Sequence, residues 1–234
     1  MARITRKELK SDKFALEVEH GLTFFEEHQK DIVRYGGIAL GVVAIAIVFN
    51  IYQRHQHTAR ESALARAIQI QETGVGPPTS GTTATTFPTQ QVKDDVAIKE
   101  FTAVKTKYAG NDESEIAEYY LGSIRADEGN LAEAERSFQE VAQKGDDRYA
   151  SLAKLSLSQV YFAQGKLDQG RKVLEDLMAH PTLFVSKDQA AIALARALLP
   201  TKPEEARKLL DPLRTKSDAV GEVARTLYGE LPAK

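Results

Sequence analysis

EGNLAEA (residues 128–134) and QGKLDQG (residues 164–170) are the same turn written twice, 36 residues apart. Each places a glycine, Gly129 or Gly165, where a helix would end, and a small residue, Ala134 or Gly170, early in the helix that follows. Outward from these turns three more columns keep the same interval: Leu121, Leu157 and Ala193; Phe138, Leu174 and Leu210; Val141, Leu177 and Leu213. A third connection, PTKPEEA (200–206), brings Ala206 into the small-residue column, lacks the glycine, and offers Thr201 and Glu204 as a capping box. Stepping back 37 residues reaches Ala97, Phe101 and Val104. Residues 92–108 therefore read as the second helix of an earlier unit, with 59–72 as its first helix. A last helix over 218–230 closes the stack. The expectation is an all-α fold in which each hairpin leaves an apolar face that only its neighbour covers.

Leu121-Gly122, Ala134 and Phe138 resemble the tetratricopeptide repeat, whose unit of about 34 residues sets Leu-Gly on one helix and Ala and Phe on the next. Two departures stand out: the longer period, and Arg125 at a position where an aromatic is usual and where the next unit has Tyr161. The resemblance implies a helical-hairpin solenoid over 92–234 whose first helices line a concave, protein-binding groove. Carried over position by position, that lining is Ile116, Tyr119, Ser123 and Asp127, then Leu152, Leu155, Gln159 and Phe162, then Asp188, Ala191, Ala195 and Leu198. It is mostly apolar and holds no Lys, Arg and Asn clamp for a terminal carboxylate. Such a groove suits an extended hydrophobic segment or a partner helix; the alternative is that the terminal helix or a second copy covers it.

Ahead of the repeats, YGGIALGVVAIAIVFNIY (35–52) runs 18 residues without a charge. As a helix it spans roughly 27 Å, close to the thickness of a hydrocarbon core. Tyr35 and Tyr52 suit the two interfaces, and Arg34 and Arg54 lie where they reach headgroups. The run starts too late, and is too long, for a signal peptide, and no small-x-small cleavage site follows. A single transmembrane helix anchored in lipid is the reading. Arg3, Arg6, Lys7, Lys10 and Lys13 favour an N-terminus inside. Gly37 and Gly41 are spaced for close approach of two helices, a route to a homo-oligomer, although small residues are common in membrane helices anyway. In the tail (1–34), Phe14, Val18, Leu22, Phe25 and Ile32 form one stripe of an amphipathic helix. Residues 53–72 continue the membrane helix. In residues 73–91, 14 of 19 are Gly, Pro, Ser or Thr and none is charged, so this segment reads as a flexible linker with nothing to bury.

With 31 Lys+Arg against 33 Asp+Glu the chain has no basic field to gather phosphates, which argues against nucleic acid. The absence of Cys removes disulfides, thiolate metal sites and Cys nucleophiles. Ser151-x-x-Lys154 matches a serine–lysine pattern, but its companion Ser-Asp-Asn and Lys-Thr-Gly motifs are missing. The five histidines contain no i, i+4 pair for zinc. The acidic pairs Asp94-Asp95, Asp146-Asp147 and Glu204-Glu205 read as helix-start residues facing the dipole. No catalytic, cofactor or metal site is read here.

A basic-leaning tail, one uncleaved span and a tethered helical repeat resemble the ancillary subunit family of the bacterial SecYEG translocon. That resemblance implies an inner-membrane protein whose periplasmic repeats meet emerging chains or a chaperone such as a membrane-anchored prolyl isomerase-like protein. The alternative function is a structural adaptor for cell-wall or outer-membrane assembly.

Overall fold

The computed structural model describes residues 6–76 and 86–232, without the side chains of 6–29, 31 and 32. The amphipathic stripe of the tail and residues 77–85 of the Thr/Gly/Pro segment thus lie outside what is described. Among the described residues the helices are α1 (Arg6–Glu72), α2 (Gln90–Lys107), α3 (Asp112–Asp127), α4 (Leu131–Lys144), α5 (Asp147–Ala163), α6 (Leu167–Ala179), α7 (Lys187–Leu198), α8 (Pro203–Leu210) and α9 (Ala219–Gly229). The only extended pairing among them is one bridge, Val75 with Phe87. The chain divides into two units, the first ending at Thr58 and the second starting at Ala59.

The first unit is the greater part of α1. One stretch of it is long and apolar enough to cross a membrane, and none of that window is buried. Leu40 and Ile45 are each 72% exposed, and Tyr35 and Tyr52 face outward with them. Around Gly37 and Gly41 the helix surface is open, with nothing within 4 Å of where a Cβ would stand.

The second unit is a stack of helix pairs, residues 59–72 with α2, α3 with α4, α5 with α6, and α7 with α8, followed by α9. Turn chemistry sets the pairs. Gly129 and Gly165 take φ of +80° and +74°, the left-handed conformation that lets α3 and α5 stop. At each, the next amide donates back across the turn, Asn130 to the Arg125 carbonyl and Lys166 to the Tyr161 carbonyl, both at 2.8 Å. The third turn differs from expectation. Helix α8 begins at Pro203, whose fixed φ suits a first helical position, with Lys202 before it, so Thr201 and Glu204 form no capping box. The box is found instead at Ser186 and Gln189, opening α7. Likewise Thr89, not an acidic pair, caps α2; Asp94 lies a turn later, buried, accepting from Gln90.

The small-residue column holds: Ala134 and Ala206 are fully buried and Gly170 is buried with them. At Gly170 the space is filled by a neighbour: an added Cβ would sit 2.7 Å from the Phe162 ring. Phe138, Leu174 and Leu210, then Val141, Leu177 and Leu213, fill the layers between pairs. Ala97, Phe101 and Val104 do the same one unit earlier, against Ala117, Leu121 and Ile124 of α3, with Leu64 and Ala67 of their own pair behind them. From the first pair through the second to the third runs a chain of rings. Phe101 stacks on Tyr120 at 4.9 Å, Tyr120 meets Tyr119 edge-on, and Tyr119 contacts both Phe138 and Tyr149. Burial pushes the Tyr120 and Tyr149 phenols above their ordinary value.

Ion pairs tie neighbouring helices. Glu118, 5% exposed, is 2.6 Å from Lys105 of α2, and Arg125, standing where an aromatic is usual, donates to the Ser137 hydroxyl of α4 and pairs with Glu133. Lys166 donates to Glu135, and Arg171 to Glu205. In the first pair the inserted segment is gathered at its base: the Gly76 amide donates to the Phe87 carbonyl at 2.9 Å, the Phe87 amide to the Gly74 carbonyl at 3.0 Å, and the Thr86 hydroxyl to the Gly76 carbonyl.

Because the Phe162 ring occupies the space above Gly170, Gly170→Val is expected to destabilise the protein by about 1–3 kcal/mol in urea unfolding. Combining it with Phe162→Ala is expected to recover part of that loss, since the obstructing ring is gone. Additive losses would contradict the contact.

Candidate functional site

The first helices of successive pairs, α3, α5 and α7, carry a run of adjoining cavities that share one residue, Gln159 of α5. Toward α3 and α4 lies a cavity of ≈ 250 Å³ lined by Ser123, Asp127, Leu131, Ser156 and Val160, among others. Toward α7 and α9 lies one of ≈ 310 Å³, floored by Leu155, Ile192 and Ala193 and walled by Val220 and Val223. Beside it a third, of ≈ 340 Å³, is lined by Phe162, Ala193, Arg196 and Ala197. Together they form a groove with an apolar floor and sparse polar groups.

Most of the expected lining of α3 and α5 is accessible. Ser123, Leu152, Leu155 and Phe162 are half-buried, and Asp127 and Gln159 are exposed. Ile116 packs against the core of the first pair, and Tyr119 is engaged in the ring chain, so neither is free to meet a ligand alone. Phe162 serves two roles, covering Gly170 and edging the third cavity.

On α7 the expected positions are displaced by one residue. Ala191, Ala195 and Leu198 are 8%, 0% and 4% exposed and face the core, and Asp188 is held by Lys216. Gln189, Ile192 and Arg196 line the groove in their place. The cause is the connection. Residues 145–146 join α4 to α5, whereas residues 180–186 join α6 to α7. That longer loop is pinned by the fully buried Val185 and by Thr182, which accepts from the Val185 amide and donates to Ser151. It delays α7 by one position, so Leu194, not Ala193, continues the buried column of Leu121 and Leu157. The length of HPTLFVS is the signal that could have revealed this. Helix α9 does not fill the groove; its Val220 and Val223 form a wall of it.

The serine–lysine pair is committed elsewhere. Ser151 donates to the Arg148 carbonyl, and Lys154 donates to Asp176 at 2.9 Å. Among the described residues no three His, Asp or Glu side chains are placed to hold a metal ion. At the α3 end of the groove, partial desolvation of the otherwise exposed Asp127 and the nearby Asp94 carboxylate raise its carboxyl above the ordinary value, partly offset by Lys93.

A profile of the tetratricopeptide repeat-like domain matches residues 23–211, most of the chain. The chain belongs to this family. Tetratricopeptide repeat-like domains are protein–protein interaction modules, and the match is to no catalytic family. No curated protein and no solved structure matches the chain. The matched stretch begins before the apolar run of α1 and ends in the loop after α8, so it includes that run and leaves out α9.

With its carboxyl raised in the folded state, Asp127 favours folding below its unfolded pKa, and that contribution is lost as pH rises through the folded value. Asp127→Asn is therefore expected to melt higher than the unaltered protein at pH 7, with the gain vanishing below about pH 4. A gain that persists at low pH would contradict the electrostatic cause.

Proposed function

We propose that this protein is a membrane-anchored binding module of the bacterial inner membrane. In this reading residues 35–52 span the bilayer, with Arg34, Tyr35, Tyr52 and Arg54 at its interfaces. The N-terminus is cytoplasmic and the repeats are periplasmic. There the groove receives polypeptides leaving the SecYEG translocon, or chaperones beside it.

The observation that carries this proposal is the pairing, in one chain, of an apolar groove with an apolar helix surface that no described residue covers. Ile38, Leu40, Ile45 and Val48 are all more than half exposed, as are their neighbours along the run. A continuous apolar surface of that kind is unstable in water and matches a bilayer core in length. That the family match takes in this run as well as the repeats supports reading them as one working arrangement. Tethering explains how a shallow groove can serve. An anchored site meets chains at the same membrane at a high effective concentration, so each contact can be weak and quickly released.

Two measurements test the proposal. Protease added to spheroplasts is expected to digest the repeat domain, while inverted inner-membrane vesicles protect it; the opposite pattern would remove the translocon-exit role. A photocrosslinking amino acid at Gln159 is expected to capture many nascent chains together with translocon subunits. Capture of one stoichiometric partner alone would favour the structural adaptor for cell-wall or outer-membrane assembly.

A further inference from the structure

Arg196 differs from the other arginines around the last two helix pairs. Arg171 is held by Glu175 and Glu205, Arg207 by the Tyr228 hydroxyl and the Pro232 carbonyl, and Arg225 by the Arg214 and Lys216 carbonyls. Arg196 has no hydrogen bond or ion pair among the described residues. It nevertheless borders three cavities: the ≈ 310 Å³ one floored by Leu155 and Ile192, the ≈ 340 Å³ one at Phe162 and Ala197, and a ≈ 560 Å³ one against α9. The first two contain no acidic side chain. The third contains Glu222 and Glu230, neither within ion-pair distance of the guanidinium.

We infer that the groove selects extended apolar segments that carry an acidic side chain, and that Arg196 is the residue that receives it. This rests on the reading of the groove as a peptide-binding site and names what that site prefers. The argument is charge complementarity on an apolar floor. An unpaired guanidinium beside Leu155, Ile192, Val220 and Val223 meets a carboxylate in cavities that no acidic side chain lines, and burial under a bound chain strengthens the pair. Its planar fork accommodates a carboxylate through two parallel hydrogen bonds. Cavities lie on both sides of Arg196, so a bound chain runs past it; the carboxylate is therefore an internal Glu or Asp side chain and not a chain terminus. Gln159 carries a donor and an acceptor for an extended backbone. At the other end Asp127 repels acid.

The test uses the full chain in nanodiscs and fluorescein-labelled, C-terminally amidated peptides rich in Leu and Val with one central Glu, or Gln or Lys in its place. By fluorescence anisotropy the Glu peptide is expected to bind about fivefold more tightly than the Gln peptide, the scale of a partly exposed ion pair. Arg196→Gln is expected to abolish that difference, and Arg196→Glu to transfer the preference to the Lys peptide. Because Arg196 makes no internal hydrogen bond or ion pair, Arg196→Gln is expected to melt like the unaltered protein. Gln159→Trp, which obstructs the shared point of the cavities, is expected to weaken all three peptides. Equal binding of the Glu and Gln peptides, still blocked by Gln159→Trp, would overturn the acidic selection and leave the groove reading standing. Binding of no peptide, or binding indifferent to Gln159→Trp, would overturn both. An Arg196 effect seen only with a free C-terminal carboxylate would overturn the internal-side-chain assignment.

Discussion

Each helix pair in this protein has an apolar side that is covered only when the next pair stacks on it, and the rest of the second unit follows from that requirement. The small column of Ala134, Gly170 and Ala206 exists because the two helices of a pair must come close enough for the layer residues Phe138, Leu174 and Leu210 to reach the neighbouring pair. Full burial of one such side chain is worth roughly 1.5–3 kcal/mol. The ring chain from Phe101 to Tyr149 and the ion pairs of Glu118, Glu135 and Glu205 span the same junctions. In an array of this kind stability is nearest-neighbour, so no residue far along the chain compensates for a junction that fails.

How much of this was legible depended on the helix. The second helices, α4, α6 and α8, are buried along one narrow stripe, and their columns could be read from spacing alone. The turns at Gly129 and Gly165 were equally readable, because only a residue tolerant of positive φ can end a helix that way. Helix α7 was not. Its sequence, Ala190-Ala-Ile-Ala-Leu-Ala-Arg-Ala-Leu198, is apolar at nearly every position, so spacing gives no register and a one-residue displacement costs the pattern nothing. That displacement moved Arg196 from apparent irrelevance into the groove. The ring chain was invisible for another reason: Tyr119 and Tyr120 are adjacent in sequence, and what they touch depends on where α2 and α5 arrive.

The candidate groove follows from the same geometry. Cavities bridge α3 to α5 and α5 to α7, so side chains not consumed by the core line up across the three first helices. Gln159 sits at the middle of that line. Its neighbours are mostly aliphatic, which favours partners that present apolar side chains over those that present phosphate or a sugar. The tetratricopeptide repeat-like family uses such surfaces for proteins, and the present arrangement of cavities is in keeping with that use.

The clasp between Gly74–Gly76 and Thr86–Phe87 has a consequence for how this scaffold can vary. Two amide–carbonyl bonds and one hydroxyl fix the entry and exit of the inserted segment, so α2 is positioned without regard to what the segment contains. Doubling the length of a closed loop adds only about 0.6 kcal/mol. The first hairpin is therefore a natural grafting point, where sequence can be lengthened, exchanged or tagged while the helices on either side keep their places.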